Sequence, residues 1–252
     1  MPTKHESNIL KDKVIICTYP QKEQDELYDM LTALGATVLS MPMIEISPLP
    51  FQLENTLTTY DWLVFTSKNA VQPFVSQFKT IKNKVAALGE QTANRLRQSE
   101  VEPDFVGTGK SAADFINELL PVLLKNEKVL LVLGNLAPNT LQQQLKEKAL
   151  VDRINVYQTE VAKSVDQKIL RLVKNDQYDV LIVTSPSAIN GLISKLNIPH
   201  HPLRIISIGI TTTAAIGKFQ IEPVATAIEP SYKGLAQTTI DYMKNDLKKL
   251  KI

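Results

Sequence analysis

The segment Phe105–Ser111 reads FVGTGKS, and its last five residues look like the end of a phosphate-binding P-loop. That motif needs GxxxxGK[ST], placed directly after a strand early in its domain, so that a glycine-rich backbone can cradle phosphates. Asp104 stands where the first glycine belongs, and GTGKS falls in the third unit of its domain. The segment is therefore read as a loop entering a helix, with Ser111 as N-cap. A helix N-terminus still presents free N–H groups and partial positive charge, so the loop can hold an anion other than a nucleotide.

Similar chemistry recurs along the chain. Ser67 in TSKNA (66–70), Thr92 in GEQTA (89–93), Ser185 in TSPSA (184–188), and Thr211 and Thr212 in GITTT (209–213) are hydroxyls at expected helix starts. Such a lining suits several carboxylates or phosphates held by backbone N–H and hydroxyl groups; as capping residues alone, each is explained equally well. A Ser/His/Asp arrangement is missing, because His5, His200 and His201 lie outside these segments. Cysteine or histidine clusters with metal-ligand spacing are missing too, so no metal is expected. Tyr157 in VYQT falls in an apparent connector between domains, where its phenol is either a proton donor or a packed hinge residue.

The elements that must position these residues form a repeat. YDWLVFTS (60–67) answers YDVLIVTS (178–185), and VAALGEQTA (85–93) answers IISIGITTT (205–213) at an offset of 120. At that same offset VEP (101–103) meets IEP (221–223), and Ser111 meets Ser231. Each copy reads as short apolar runs rich in β-branched residues, each followed by a turn and a helical segment; fully apolar strands alternating with helices imply a parallel sheet covered on both faces. Two further βαβ pieces, from KVIICT (13–18) and from KVLLVLG (128–134), complete the pattern. The expected fold is α/β, with two similar doubly wound parallel-sheet domains joined by a two-segment linker and a cleft between them. The segments SMPMIEISPLPF (40–51) and YQTEVAKS (157–164) read as extended connectors. If they run side by side, residues 1–44 plus 160–252 form one discontinuous domain and 48–156 an inserted one.

Composition narrows the function classes. The chain has 252 residues, 44% hydrophobic and 21% charged, with net charge +2. That is ordinary for a globular protein and too weakly basic for a nucleic-acid surface. No apolar run reaches membrane-spanning length, and MPTKHESNIL lacks the apolar core of a secretory signal, so a cytoplasmic protein is expected. Cys17, the only cysteine, lies in the apolar run VIIC and reads as a buried thiol. The lysine-rich end, KNDLKKLKI, reads as the solvated last turns of a helix.

The repeat together with FTSKNAV, VAALGEQTA, VYQT, VTSPSA and SIGITTTAAI resembles the uroporphyrinogen-III synthase family, from Lys13 to about Tyr242. The resemblance implies a cofactor-independent cyclising lyase of tetrapyrrole and heme biosynthesis; separately, a monomer is the preferred expectation. Its substrate would be hydroxymethylbilane, with eight carboxylates; a transient hand-over from hydroxymethylbilane synthase is a partner option that the sequence leaves open. Its product would be uroporphyrinogen III, closed with ring D inverted. By motif, Tyr157 matches the tyrosine proposed to help the hydroxyl depart, while Ser67, Ser185, Thr92, Thr211 and Thr212 match substrate-side residues. Lys68 and Ser187 lie in the same segments, and Arg204, five residues before Gly209, falls where some members carry a basic residue. This sequence departs from the family at TYP (18–20), where TRP is frequent, and at LGNLAPNT (133–140), which lacks the arginines frequent there. A non-catalytic paralogue binding a tetrapyrrole or other polyanion is the competing reading; a transferase using a nucleotide-activated donor is disfavoured by Asp104.

Overall fold

A computed structural model of the protein describes residues 9–20, 26–108, 111–196 and 202–249. The three histidines, Gly109, Lys110 and the side chains of residues 246–252 lie outside the described residues. The chain divides into two compact units, Met1–Glu45 with Glu160–Ile252 (unit 1) and Ile46–Thr159 (unit 2).

In unit 1 the elements are β1 (Val14–Cys17), α1 (Glu26–Ala33), β2 (Thr37–Ser40), α6 (Gln167–Lys174), β9 (Val180–Val183), α7 (Pro186–Leu196), β10 (Ile205–Ser207), α8 (Ile210–Gly217), β11 (Ala225–Thr226) and α9 (Tyr232–Lys249). The sheet order is β11-β10-β9-β1-β2, all parallel. The central strands β1 and β9 are apolar at every position because both faces are covered. Ile16, Leu181, Val183 and Ile205 enter one core, while Ile15, Cys17, Val180, Ile182 and Ile206 enter the other.

Unit 2 holds α2 (Lys68–Gln77), α3 (Glu90–Arg97), α4 (Ala112–Leu119) and α5 (Thr140–Leu145) around β4 (Trp62–Phe65), β5 (Lys84–Ala87), β6 (Phe105–Val106) and β7 (Lys128–Gly134). Two further segments complete its sheet, β3 (Ile44–Pro48) and β8 (Leu150–Val161), in the order β3-β8-β7-β4-β5-β6. Alternation again splits the strands between two cores: Trp62, Val64, Leu131 and Leu133 on one face, Leu63, Phe65, Leu130 and Val132 on the other. Each fully buried side chain of this size stabilises the fold by about 1.5–3 kcal/mol.

Both segments expected as connectors are paired strands. β8 runs without interruption for 12 residues. The bonds Leu49 N–H to Val156 O and Ala162 N–H to Met43 O, both 2.9 Å, run in opposite order along the two segments, so β3 is antiparallel to β8. The prolines at 42, 48 and 50 flank or end β3, the strand at the sheet's edge, where a missing N–H leaves no interior ladder bond unmade.

Candidate functional site

In doubly wound sheets ligands bind beyond the carboxyl ends of the strands. In unit 2 that edge carries Ser67, whose hydroxyl accepts the Asn69 amide at 3.2 Å and caps α2. The next residue, Lys68, is exposed, and its Nζ donates to Gln91 Oε1 at 3.3 Å, joining the β4–α2 loop to the start of α3. Thr92 is buried in the first turn of α3, its amide on the Gly89 carbonyl.

The loop after β6 answers the P-loop question directly. Thr108 N–H and Oγ1 donate to the Glu118 carboxylate at 2.9 and 2.7 Å, so a carboxylate of the protein's own already occupies those donors. Ser111 caps α4 by accepting the Asp114 amide at 3.1 Å and donates to the Asp114 carboxylate at 2.7 Å. Its repeat partner Ser231 accepts the Gly234 amide at 2.9 Å, so capping is what the two copies share.

Tyr157 owes its orientation to a β-bulge. Leu133 pairs with Asn155, but Gly134 pairs with Tyr157, leaving Val156 as an extra residue on β8. Regular alternation would put Tyr157 on the face opposite Val156. The bulge instead brings Ile154, Val156 and Tyr157 onto one core. Gly134 makes room for the ring: a Cβ there would lie 2.6 and 2.7 Å from Tyr157 Cε2 and the hydroxyl oxygen, and nearer still to Cζ. The phenol thus lies across the carboxyl end of β7, half-buried and making no hydrogen bond to a described residue. Asn135 locks this arrangement, its amide on the Tyr157 carbonyl at 3.1 Å and its Oδ1 accepting the Thr159 amide at 2.9 Å.

In unit 1, Ser185 Oγ takes the Ala188 amide at 3.2 Å and meets Ser187 Oγ at 3.0 Å, so these two residues work as one capping pair. Thr211 is exposed and Thr212 buried in the first turn of α8, where the Thr212 and Thr213 amides both reach the Gly209 carbonyl at 3.0 Å. Beneath this turn is a feature that sequence reasoning missed. Ser207, Thr213 and Thr226 form a ring of hydroxyls with oxygen separations of 2.6, 2.7 and 3.2 Å. A signal was available: at the 120-residue offset the first copy has Ala87, Ala93 and Val106 at these positions. Where TRP was the frequent pattern, Tyr19 is buried and its ring stacks on Tyr232 at 4.9 Å.

Arg204 is not at this edge. It directly precedes β10, so it sits at the amino end of the sheet. Nη1 pairs with Asp176 at 2.7 Å, Nε donates to the Asp179 carbonyl at 3.0 Å and Nη2 to the Tyr178 carbonyl, with the guanidinium 4.5 Å over the Tyr178 ring. Its repeat partner Lys84 is held alike, 3.2 Å from Glu127 Oε1 and 5.2 Å over Trp62. Burial pushes the Glu127 carboxyl up, but hydrogen bonds from the Leu124 amide, Lys84 and Trp62 outweigh it and hold the group below the usual carboxylate range. Burial raises the Tyr178 phenol, with Arg204 opposing. The basic residue at this position braces the amino end: Arg204 is held by Asp176, two backbone carbonyls and the Tyr178 ring.

The repeated YD pair belongs to the same bracing. Asp179 accepts the Val14 amide and Asp61 the Lys128 amide, both at 2.8 Å, tying each central strand to its neighbour. A cavity of about 400 Å³ lies near the ends of α2 and α3, lined by Phe78, Lys79 and Gln98 among others, and holds none of the residues singled out above. Among the described residues no group of histidine, cysteine or carboxylate side chains could hold a metal ion, and no helix is long and apolar enough to cross a membrane.

Comparison with known proteins fits this architecture. The family model for uroporphyrinogen-III synthase HemD matches residues 25–237. The porphyrin biosynthesis protein HemD of Ruminiclostridium josui is 26% identical over 228 residues, 83% of this chain and 45% of that protein, so the chain spans about half of that relative's length. The uroporphyrinogen-III synthase of Chlorobaculum parvum is 24% identical over 83% of this chain and 91% of that protein. Among solved structures, uroporphyrinogen-III synthetase from Helicobacter pylori has a TM-score of 0.65 at 21% identity, covering 89% of this chain and 97% of that one. A mutant uroporphyrinogen III synthase from the extremely thermophilic bacterium Thermus thermophilus has a TM-score of 0.60 at 15% identity, over 92% and 99%. At these identities the structures speak for the fold, two-domain α/β with parallel-sheet cores, while the family match covers most of the sequence. The chain belongs to the uroporphyrinogen-III synthase family.

Proposed function

We propose that this protein cyclises hydroxymethylbilane to uroporphyrinogen III, inverting ring D and releasing one water. The terminal hydroxyl departs with a proton, leaving an azafulvene cation. The substituted carbon of ring D attacks that cation to give a spiro intermediate, which fragments and recloses at the free position, whose proton is released and balances the one taken up with the hydroxyl. Water loss and carbon–carbon bond exchange are redox-neutral, so the proposed reaction calls for no redox cofactor.

Family membership supports this reading, and one observation carries it furthest: the bulge that lays the Tyr157 phenol across Gly134 at the carboxyl end of β7. A proton donor held by packing, with its hydroxyl not engaged by a described residue, fits the departing hydroxyl. Ser67, Lys68, Thr92, Ser185, Ser187, Thr211 and Thr212 are the proposed contacts or neighbours of the acetate and propionate groups, whose charges suit helix N-termini. The remaining task of the protein is conformational, bringing the substituted carbon rather than the open α-position to the cation. We place the protein in the cytoplasm as a monomer that receives its substrate from hydroxymethylbilane synthase.

The test is a coupled assay with porphobilinogen and hydroxymethylbilane synthase, followed by oxidation and chromatography of the uroporphyrin isomers. A protein-dependent switch from isomer I to isomer III is expected. Isomer I alone, from folded protein, would sink the proposal and leave a tetrapyrrole-binding member of the family.

A further inference from the structure

Arg153 lies on β8 four residues before Tyr157, and its guanidinium reaches the loop that follows β7. Nη1 donates to Asn139 Oδ1 at 2.8 Å, Nη2 to the Gly134 carbonyl at 3.2 Å, and Nη2 and Nε to Asn155 Oδ1 at 3.1 and 3.2 Å. All of these acceptors are neutral. Among the described residues no carboxylate pairs with Arg153, whereas Arg97 pairs with Glu90 and Glu102, and Arg204 with Asp176.

This pattern differs from a structural ion pair. Neutral acceptors fix the plane and direction of a guanidinium without cancelling its charge, so the half-buried group is oriented in advance and still attracts an anion. One Nη1 N–H remains beyond those four donations. The position matters as much as the charge. Val151 faces the core beside α5, and alternation puts Arg153 on that same face, while the bulge turns Tyr157 to the other. Gly134 lies between them: its carbonyl accepts from Arg153, and its bare Cα underlies the Tyr157 ring.

We propose that Arg153 is a carboxylate-binding residue of the substrate site, taking an acetate or propionate group of the bilane beside Gly134. The assignment rests on the functional reading above. It also gives the arginine-free segment LGNLAPNT a guanidinium supplied from the adjacent strand.

The test uses the full chain with Arg153→Gln and Arg153→Lys, each checked for folding by chemical denaturation. Two quantities are read: the KM for hydroxymethylbilane in the coupled assay, and the Kd for uroporphyrin III, an oxidised octacarboxylate probe, by fluorescence titration. Loss of a charge-assisted bond predicts that Arg153→Gln raises both about tenfold to hundredfold with kcat nearly kept, and that Arg153→Lys falls between. Unchanged KM and Kd would overturn the assignment. So would a joint fall in kcat and stability with KM held, which is the mark of a bracing role. If the parent protein makes no isomer III, the functional reading fails separately and the titration decides alone. A weaker Kd in Arg153→Gln then keeps Arg153 as a tetrapyrrole-carboxylate ligand, and equal affinity or no binding by either protein removes it.

Discussion

In unit 1 the end of β10, the end of β11 and the first turn of α8 meet through the hydroxyls of Ser207, Thr226 and Thr213; in unit 2 the same three places hold Ala87, Val106 and Ala93. The strand register is the same, Ser207 beside Thr226 and Ala87 beside Val106. The amino ends also agree, with an aspartate tying neighbouring strands and a basic residue clamped over an aromatic ring in each unit. The difference teaches that the two copies keep their bracing and diverge at the carboxyl edge. Unit 1 fixes its threonine turn with a polar ring. Unit 2 has apolar side chains at those three positions and carries Arg153 and Tyr157 on β8.

The comparison breaks first at Tyr157. If the phenol of unit 2 delivers the proton, Tyr157→Phe keeps the ring over Gly134 but lowers the rate of isomer III formation by about 10²- to 10⁴-fold. An unchanged rate in the coupled assay would move the donor elsewhere. The next effect sets one glycine of each unit against the other. Gly134→Ala drives a Cβ into the Tyr157 ring and is expected to destabilise the protein by about 1–3 kcal/mol in urea denaturation. Gly209→Ala in unit 1 meets nothing nearer than Pro230 Cβ at 3.6 Å and is expected to cost no more than about 1 kcal/mol, the loss of a tolerated N-cap residue. Equal costs would show that the Tyr157 ring moves aside freely.

A smaller effect comes from grafting one unit's packing into the other. The triple change Ser207→Ala, Thr213→Ala and Thr226→Val gives unit 1 the residues of unit 2. Because all three partners become apolar together, stability is expected to stay within about 1 kcal/mol, whereas Ser207→Ala alone costs more, because the Thr213–Thr226 pair keeps its own bond but one hydroxyl donor loses its acceptor. A large loss in the triple variant would mean the ring carries the fold of unit 1. The smallest effect is the pH dependence of Glu127 in unit 2. Its carboxyl is held below the unfolded value, so its contribution is present above about pH 4.5 and is lost as pH falls through the depressed folded value. Acid denaturation of Glu127→Gln should therefore show a shallower loss of stability below that pH than the parent, and parallel curves would remove Glu127 from the account.

Much of the molecule was legible in the residues. Runs such as VLIV and WLVF, short, apolar at every position and placed before turns, fit strands covered on both sides, and the 120-residue offset put Ser111 and Ser231 at equivalent helix starts. The connectors were less legible. Prolines in SMPMIEISPLPF argued for extended chain, and that is what β3 is, but edge pairing with β8 depends on a partner more than 100 residues away. Arg204, named from the family pattern five residues before Gly209, is separated from that glycine by a strand: three residues of β10 carry the chain from the amino edge of the sheet toward the carboxyl edge.

The sequence by itself determined the α/β class, the internal repeat and the capped helix starts, since these follow from periodicity and local hydrogen bonding. Only the tertiary structure decided which way Tyr157 faces, where Arg153 reaches and which hydroxyls meet. One residue in excess opposite β7, Val156, reverses the face of everything after it on β8, and no local pattern marks it. Side-chain contacts between strands and loops depend on register and reach across the sheet, and these are set when the whole unit packs.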